Sequence, residues 1–164
     1  VGSAILGAHL CAARRYGEAV AHLRSALAAE PDVYLFQVFL GAALEQQGDH
    51  AGAIRELERA VAMETNNDDL YQLAHAYGTA GRRQDFNRVM RQMRSRRELS
   101  FMPAGNIAIA FAGMGERDSA FHWLDLALED HSESLTLLRV DPALDPLRSD
   151  PRFDRILRRV HLLD

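Results

Sequence analysis

The sequence predicts an all-α solenoid of about four stacked helix pairs, closed by a C-terminal helical cap. Three observations predict it. An apolar pattern returns every ~34 residues. Small residues keep the same phase in successive copies. Gly48, Gly81 and Gly115 fall at one further phase, where a turn is needed. Length and composition agree: 164 residues suffice for one domain or one array of small repeats, and 48% hydrophobic residues exclude global disorder.

The first copy runs Leu6-Gly7, Leu10, Ala19, Leu23, Ala26 and Pro31. The second runs Leu40-Gly41, Leu44, Ala53, Leu57 and Ala60, with Thr65 in place of the proline. The third is one residue shorter and degraded: Leu73-Ala74, Tyr77, Phe86, Met90 and Met93. The fourth reads Ile107-Ala108, Phe111, Ala120, Leu124 and Ala127. Each copy holds two apolar-periodic stretches of about a dozen residues around a turn. Gly7, Gly41, Ala74 and Ala108 in the first stretch, with Ala19, Ala53 and Ala120 in the second, let two helices approach closely. Leu10, Leu44, Tyr77 and Phe111 fill the space beside them. One pair cannot bury its own apolar face, so neighbours must stack.

The elements follow in order. Helices are expected over 2–14, 17–29, 33–47, 50–63, 68–80, 83–97, 103–113 and 116–130. Asp32 is placed to cap the third, and Pro103 suits the first turn of the seventh. The period then ends. Residues 132–139 read as a short helix. Asp141-Pro142, Asp145-Pro146 and Asp150-Pro151 each carry a helix-start signal, Asp at the cap and Pro at the first helical position. The last predicts a helix near 151–161 with Phe153, Ile156, Leu157 and Val160 on its apolar side. Such a cap covers the open face of the last repeat.

This pattern resembles the tetratricopeptide repeat, whose ~34 residues read Trp-x2-Leu-Gly-x2-Tyr, then Ala-x3-Phe, then Ala and Pro. The first two copies match apart from Ser3 and Gln37 at the Trp position. The fourth matches in its second helix. The third matches least, with Phe86 and Met93 where small residues stand. The resemblance covers roughly 1–131. It implies a right-handed superhelix with repeats at about 1–33, 34–66, 67–100 and 101–131, and capping helices over 132–164.

A second resemblance covers about sixty residues. It runs from Phe101-Met102-Pro103 through Gly115-Glu116-Arg117-Asp118, His122-Trp123-Leu124 and the Asp-Pro series to Phe153. It is similar to the carboxyl end of multidomain bacterial regulators. There, repeats follow a winged-helix, Ser/Thr kinase or adenylate-cyclase-like output domain. It implies a terminal sensor or scaffold part of a longer protein. The start at Val1 rather than Met leads to the same expectation. No basic leader opens the chain, so no secretory signal is expected. No apolar run nears the ~20 residues of a membrane-spanning helix. A cytoplasmic location is the default expectation.

Catalysis is not expected. No dinucleotide, Walker-type or nucleophile-elbow motif occurs. The acidic residues read as solvated helix ends. His122, His131 and His161 match no zinc spacing, so neither metal nor cofactor is expected. The single Cys11 excludes an internal disulfide and reads as a small packed residue. A net charge of −4 gives no general drive toward nucleic acid or anionic membrane. All 19 basic residues are Arg, and Arg82, Arg83, Arg88, Arg91, Arg94, Arg96 and Arg97 crowd one helix and its end. Arg88, Arg91 and Arg94 share a face that could bind phosphate or an acidic partner. A solvated outer face is the favoured reading, and nucleic acid is disfavoured.

In the family, the first helix of each pair lines a concave groove that binds peptides. Transferring that phase points inward with Ala4 and Ala8; Leu35, Val38, Ala42 and Glu45; Asp68, Tyr71 and His75; and Met102, Asn106 and Ile109. The family's clamp for a terminal carboxylate uses Lys, Arg and Asn. This chain has no Lys and carries Val38, Tyr71 and His75 at comparable depth, so that clamp is not expected. The groove is apolar and aromatic, which suits an amphipathic helix or extended peptide. Packing between helices competes as a reading for Leu35 and Val38. Tyr71 and His75 are the stronger candidates. They lie four apart and outside the seam of Leu70, Leu73 and Tyr77. His75 could add pH sensitivity. The function expected is non-catalytic binding of a protein or peptide. The alternatives are a homodimer through an open face near Ala4, Ala8 and Cys11, or the Arg-rich helix acting on nucleic acid or an acidic partner.

Overall fold

One turn, repeated, sets the architecture. In a computed structural model, which describes residues 2–63, 69–99 and 103–162, the first helix of each pair ends in the same bond. The amide N–H of Arg15, Asp49, Arg82 and Glu116 reaches back five residues to the carbonyl of Leu10, Leu44, Tyr77 and Phe111 respectively. That closure needs a left-handed residue just before the donor. Gly48, Gly81 and Gly115 supply it, with φ of +83°, +70° and +74°. In the first pair the residue is Arg14, at φ +59°. A side chain there costs roughly 1–2 kcal/mol that glycine avoids.

The helices between these turns are α1 (Gly2–Ala12), α2 (Tyr16–Ala29), α3 (Tyr34–Gln46), α4 (His50–Met63), α5 (Leu70–Thr79), α6 (Arg83–Leu99), α7 (Ala104–Gly113) and α8 (Arg117–Glu129). Two 3-10 helices, Glu133–Leu137 and Pro142–Leu147, lead to α9 (Pro151–Arg159). No strand occurs among the described residues. The chain is an all-α solenoid of stacked helix pairs with a C-terminal helical cap.

Helices close on one another where a side chain is missing. A Cβ at Gly41 would stand 2.5 Å from Leu57 Cγ and 3.2 Å from the Ala53 carbonyl oxygen. Gly7 faces Leu23 in the same way, and Ala74 and Ala108 are fully buried at that phase later in the chain. Leu10, Leu23, Phe36, Leu40 and Leu44 form one core over α1 to α4. A second, larger core joins α4 to α9 through Leu57, Tyr77, Phe111, Leu124 and Phe153. The degraded third copy keeps its volume: Phe86 and Met93 are buried. Phe86 meets Phe111 edge-on at 5.7 Å.

Four local expectations need correction. The third helix starts at Tyr34 with Val33 as its flanking residue and no side-chain cap, so Asp32 does not cap it. Pro103 flanks α7 instead of entering its first turn. The short helix after α8 is a 3-10 helix. Of the three Asp-Pro pairs only two start helices. Asp141 accepts the Ala143 amide and Asp150 the Arg152 amide, whereas Pro146 lies inside Pro142–Leu147. The Asp145 carboxylate is engaged elsewhere, by Arg14 and Arg148.

The capping helix α9 buries Phe153, Ile156 and Leu157 and packs on α8. Arg152 lies 4.2 Å over the Phe121 ring and pairs with Asp118. The chain between the two 3-10 helices does something else: it crosses the side of the solenoid on which the first helices face.

Filling the Gly41 contact should cost stability. Gly41→Val should lower the unfolding free energy by about 2 kcal/mol or more, from forced overpacking against Leu57. Gly48→Ala, with open space around it, should lose only ~1 kcal/mol from its positive φ. Urea unfolding of both variants checks this. Equal midpoints for Gly41→Val and wild type would contradict the close approach.

Candidate functional site

The first helices α1, α3, α5 and α7 face a cavity of about 340 Å³. Ala8, His9, Cys11 and Ala12 line it from α1, and Phe39, Ala42, Glu45 and Gln46 from α3. Tyr71, Gln72 and His75 come from α5, and Ile109 from α7. No second helix of a pair contributes among these lining residues. The outer wall is the return segment after α8, through Leu137, Val140, Asp141, Pro142 and Ala143.

Four devices hold that wall. Arg14 binds Asp145 with both guanidinium nitrogens, Nη1 to Oδ2 at 2.5 Å and Nη2 to Oδ1 at 2.9 Å. Arg148 gathers the segment on itself, donating to Asp145 Oδ1 at 2.6 Å and to the carbonyls of Asp141 and Leu138. Leu138, Leu144 and Leu147 are buried, which stabilises by roughly 1.5–3 kcal/mol each. An exposed ion pair such as Arg14–Asp145 contributes only ~0–1 kcal/mol. Burial therefore keeps the segment docked, and the polar contacts set the position of its wall.

The fourth device is His75. Its Nδ1 lies 2.8 Å from Glu45 Oε1 and its Nε2 lies 3.1 Å from the Ala143 carbonyl oxygen. Both neighbours are acceptors, and a neutral imidazole has one N–H to donate. The doubly protonated ring satisfies both. Thr79 Oγ1 also donates to Glu45 Oε1, at 2.6 Å. Burial pulls the His75 pKa down, but the Glu45 charge and hydrogen bond, the Ala143 carbonyl and the Asp141 charge outweigh it, and the net shift is upward. Burial likewise pulls Glu45 up, yet His75 and Thr79 turn the net shift downward. Gly113 makes room for the ring, since a Cβ there would stand 2.7 Å from His75 Cδ2.

The remaining polar groups are few. Burial raises the Asp141 carboxyl above its ordinary range, against the Ala143 amide, His75 and Arg148, which lower it. Burial, with Asp69 and Asp141 nearby, pushes the Tyr71 hydroxyl well above its usual range. Burial raises the Cys11 thiol to about 11, so it is held as an inert thiol.

Of the residues the sequence pointed inward, the fold brings Ala8, Ala42, Glu45, Tyr71, His75 and Ile109 to this cavity. Leu35 is half-buried against the first core, Val38 is buried, and Asn106 is half-buried; none of the three lines the cavity. Ala4 is buried in the first core. Asp68 and Met102 lie outside the described residues. The repeat pattern does not place the return segment on this face. The one signal for it in the sequence is Arg14, an arginine at the phase of the turn glycines; in the structure the segment leaves Leu137 and Val140 exposed, at 58% and 44%. In the basic patch, Arg88 pairs with Asp85 at 2.7 Å, and Arg91 and Arg94 are exposed while Phe86, Val89, Met90 and Met93 turn inward. Among the described residues, no group of three or more His, Cys, Asp or Glu could hold a metal. No described helix is long and apolar enough to cross a membrane.

The comparisons agree with the repeat pattern over part of the chain. The family model of the tetratricopeptide repeat matches residues 10–77, from the end of α1 into α5. A tetratricopeptide-like repeat region therefore spans that part. No curated protein matches the chain.

Two outcomes follow from this geometry. His75 has a folded pKa above its unfolded value of about 6.5, so its stabilisation is full below that value and is lost as pH rises through the folded pKa. Glu45 is shifted downward from 4.5, so its stabilisation is full above that value and is lost as pH falls through the folded pKa. Urea midpoints should therefore fall on both sides of about pH 4.5–6.5. The alkaline fall should be shallower in His75→Gln, and parallel profiles would contradict the pairing. Separately, Arg14→Gly should change global stability by less than about 1 kcal/mol, because relief of the positive φ offsets the lost ion pair. Amide hydrogen exchange over 141–148 should nonetheless speed up. Unchanged exchange there would contradict the tether.

Proposed function

We propose that this chain is a non-catalytic binding module that takes a peptide segment of a partner protein on the inner face of its solenoid. The observation that carries the reading is the cavity of about 340 Å³, walled by Ala42, Tyr71 and Ile109 and edged by exposed Leu137 and Val140. Pockets of this size and character commonly seat one apolar anchor, and an amphipathic partner would bury the exposed edge. We take the repeats as about 1–33, 34–66, 67–100 and 101–131, with the cap over 132–164. The likeness of the C-terminal stretch to bacterial regulators supports a place at the end of a longer regulatory protein.

Self-association is the second reading. It is favoured by Ile5 and Leu6, large apolar residues of α1 left 51% and 46% exposed. Light scattering across a wide concentration range separates the two, since a concentration-independent monomer removes it. The Arg-rich face of α6 has weaker support, because Arg88 is already paired.

A random-peptide display selection tests the first reading. Enriched peptides should bind the wild-type chain and lose at least about tenfold on Ala42→Trp, which fills the cavity. Tyr71→Ala serves as a second variant that removes a wall without adding bulk. No enrichment, or equal binding to all three proteins of matched helicity, would overturn the reading.

A further inference from the structure

We propose that His75 is a protonation-dependent latch that ties the return segment to the groove and so regulates peptide binding there. The inference rests on the groove reading and adds its regulation. The geometry carries it. His75 bonds α5 at once to α3, through Glu45, and to the return segment, through the Ala143 carbonyl. Each ring nitrogen faces an oxygen that can only accept, so the ring fits its site with two protons. With one proton, the ring keeps a single donor. The Glu45 carboxylate, charged and nearer, takes it. Nε2 then turns a lone pair toward the Ala143 oxygen at 3.1 Å, and the bond becomes a repulsion.

The groups facing the ring do not rescue that contact. From α3 comes Glu45, with His50 of α4 close enough to add to the field on that carboxylate. From the return segment comes Asp141, whose charge also favours the protonated ring. From α7 come Gly113 and the apolar Ile109, with no charge. Thr79, one turn along α5, has one hydroxyl proton, and the nearer acceptor for it is Glu45 at 2.6 Å, ahead of the Ala76 carbonyl at 3.1 Å. The upward pKa shift places the change above the ordinary imidazole value. The three buried leucines keep the segment docked in both states. What moves is its local stretch at Asp141 to Ala143, which forms the outer wall of the cavity, so the width of the slot follows the proton.

Nuclear magnetic resonance of the whole chain tests the latch without any peptide. Imidazole nitrogen shifts should report both His75 nitrogens protonated at pH 6, with a midpoint above about 6.5. The Val140 methyl and Ala143 resonances should move with the same midpoint. In His75→Gln those movements should vanish. In Glu45→Gln the midpoint should fall. A His75 midpoint at or below the ordinary value would overturn the latch, as would wall resonances that ignore it. A peptide from the display selection supplies the second arm. Its dissociation constant should weaken severalfold through the same midpoint on wild type and stay flat on His75→Gln, and a flat wild-type profile would overturn the regulation. If no peptide is selected while the wall still follows His75, the groove reading fails and the latch itself stands.

Discussion

The whole arrangement depends on how closely two helices of a pair can approach. Gly41 has no side chain where Leu57 and the Ala53 carbonyl press against α3, and the other copies place Gly or Ala at the same phase. That contact fixes the angle of each pair. The shared turn bond then fixes where the next helix begins, and stacking does the rest. Because each pair closes in the same way, the first helices all present themselves to one side. The inner face follows from the packing of the backbone, before any side chain on it is chosen.

On that face, polar chemistry is used sparingly and is almost all internal. Glu45 and His75 satisfy each other and tie two repeats together. Arg14 and Arg148 share Asp145. A buried pair of this kind contributes little net stability compared with apolar packing, but removing one partner leaves a buried charge and costs ~3–5 kcal/mol. Its value is positional: the pair and the arginine tether hold the return segment at one distance from α3 and α5. The result is a groove with a wall of its own. Arg14 supports this account from a second direction, because it sits in a strained conformation where the other three pairs use glycine.

Much of the fold could be read in the sequence, and the reasons are local. Helix positions follow from 3.6-residue periodicity, and turn positions from glycines at one phase. The inward placing of Ala42, Tyr71 and His75 comes from the resemblance to the tetratricopeptide repeat, whose first helices line the groove, and all three line the cavity. What the pattern could not carry is contact across the array. Arg14 and Asp145 lie 131 residues apart, and a repeat encodes only its neighbours. The three Asp-Pro pairs obey one local rule equally well; only the distant arginine and Arg148 explain why Asp145 does not cap. Glu45 and His75 both fall on the inward side, yet their pairing crosses two copies, 30 residues apart, and no periodicity marks it. Val38 fits the same inward phase, but it is buried and does not line the cavity.

The central claim is that a partner peptide sits between the solenoid and its return segment. The most direct measurement is the set of nuclear Overhauser contacts between one selected, labelled peptide and the protein's methyl groups. The account requires contacts from the same peptide to Ala42 and Ile109 on the solenoid and to Val140 on the wall. Contacts confined to the exposed Ile5 and Leu6 of α1, or to the arginine face of α6, would contradict it.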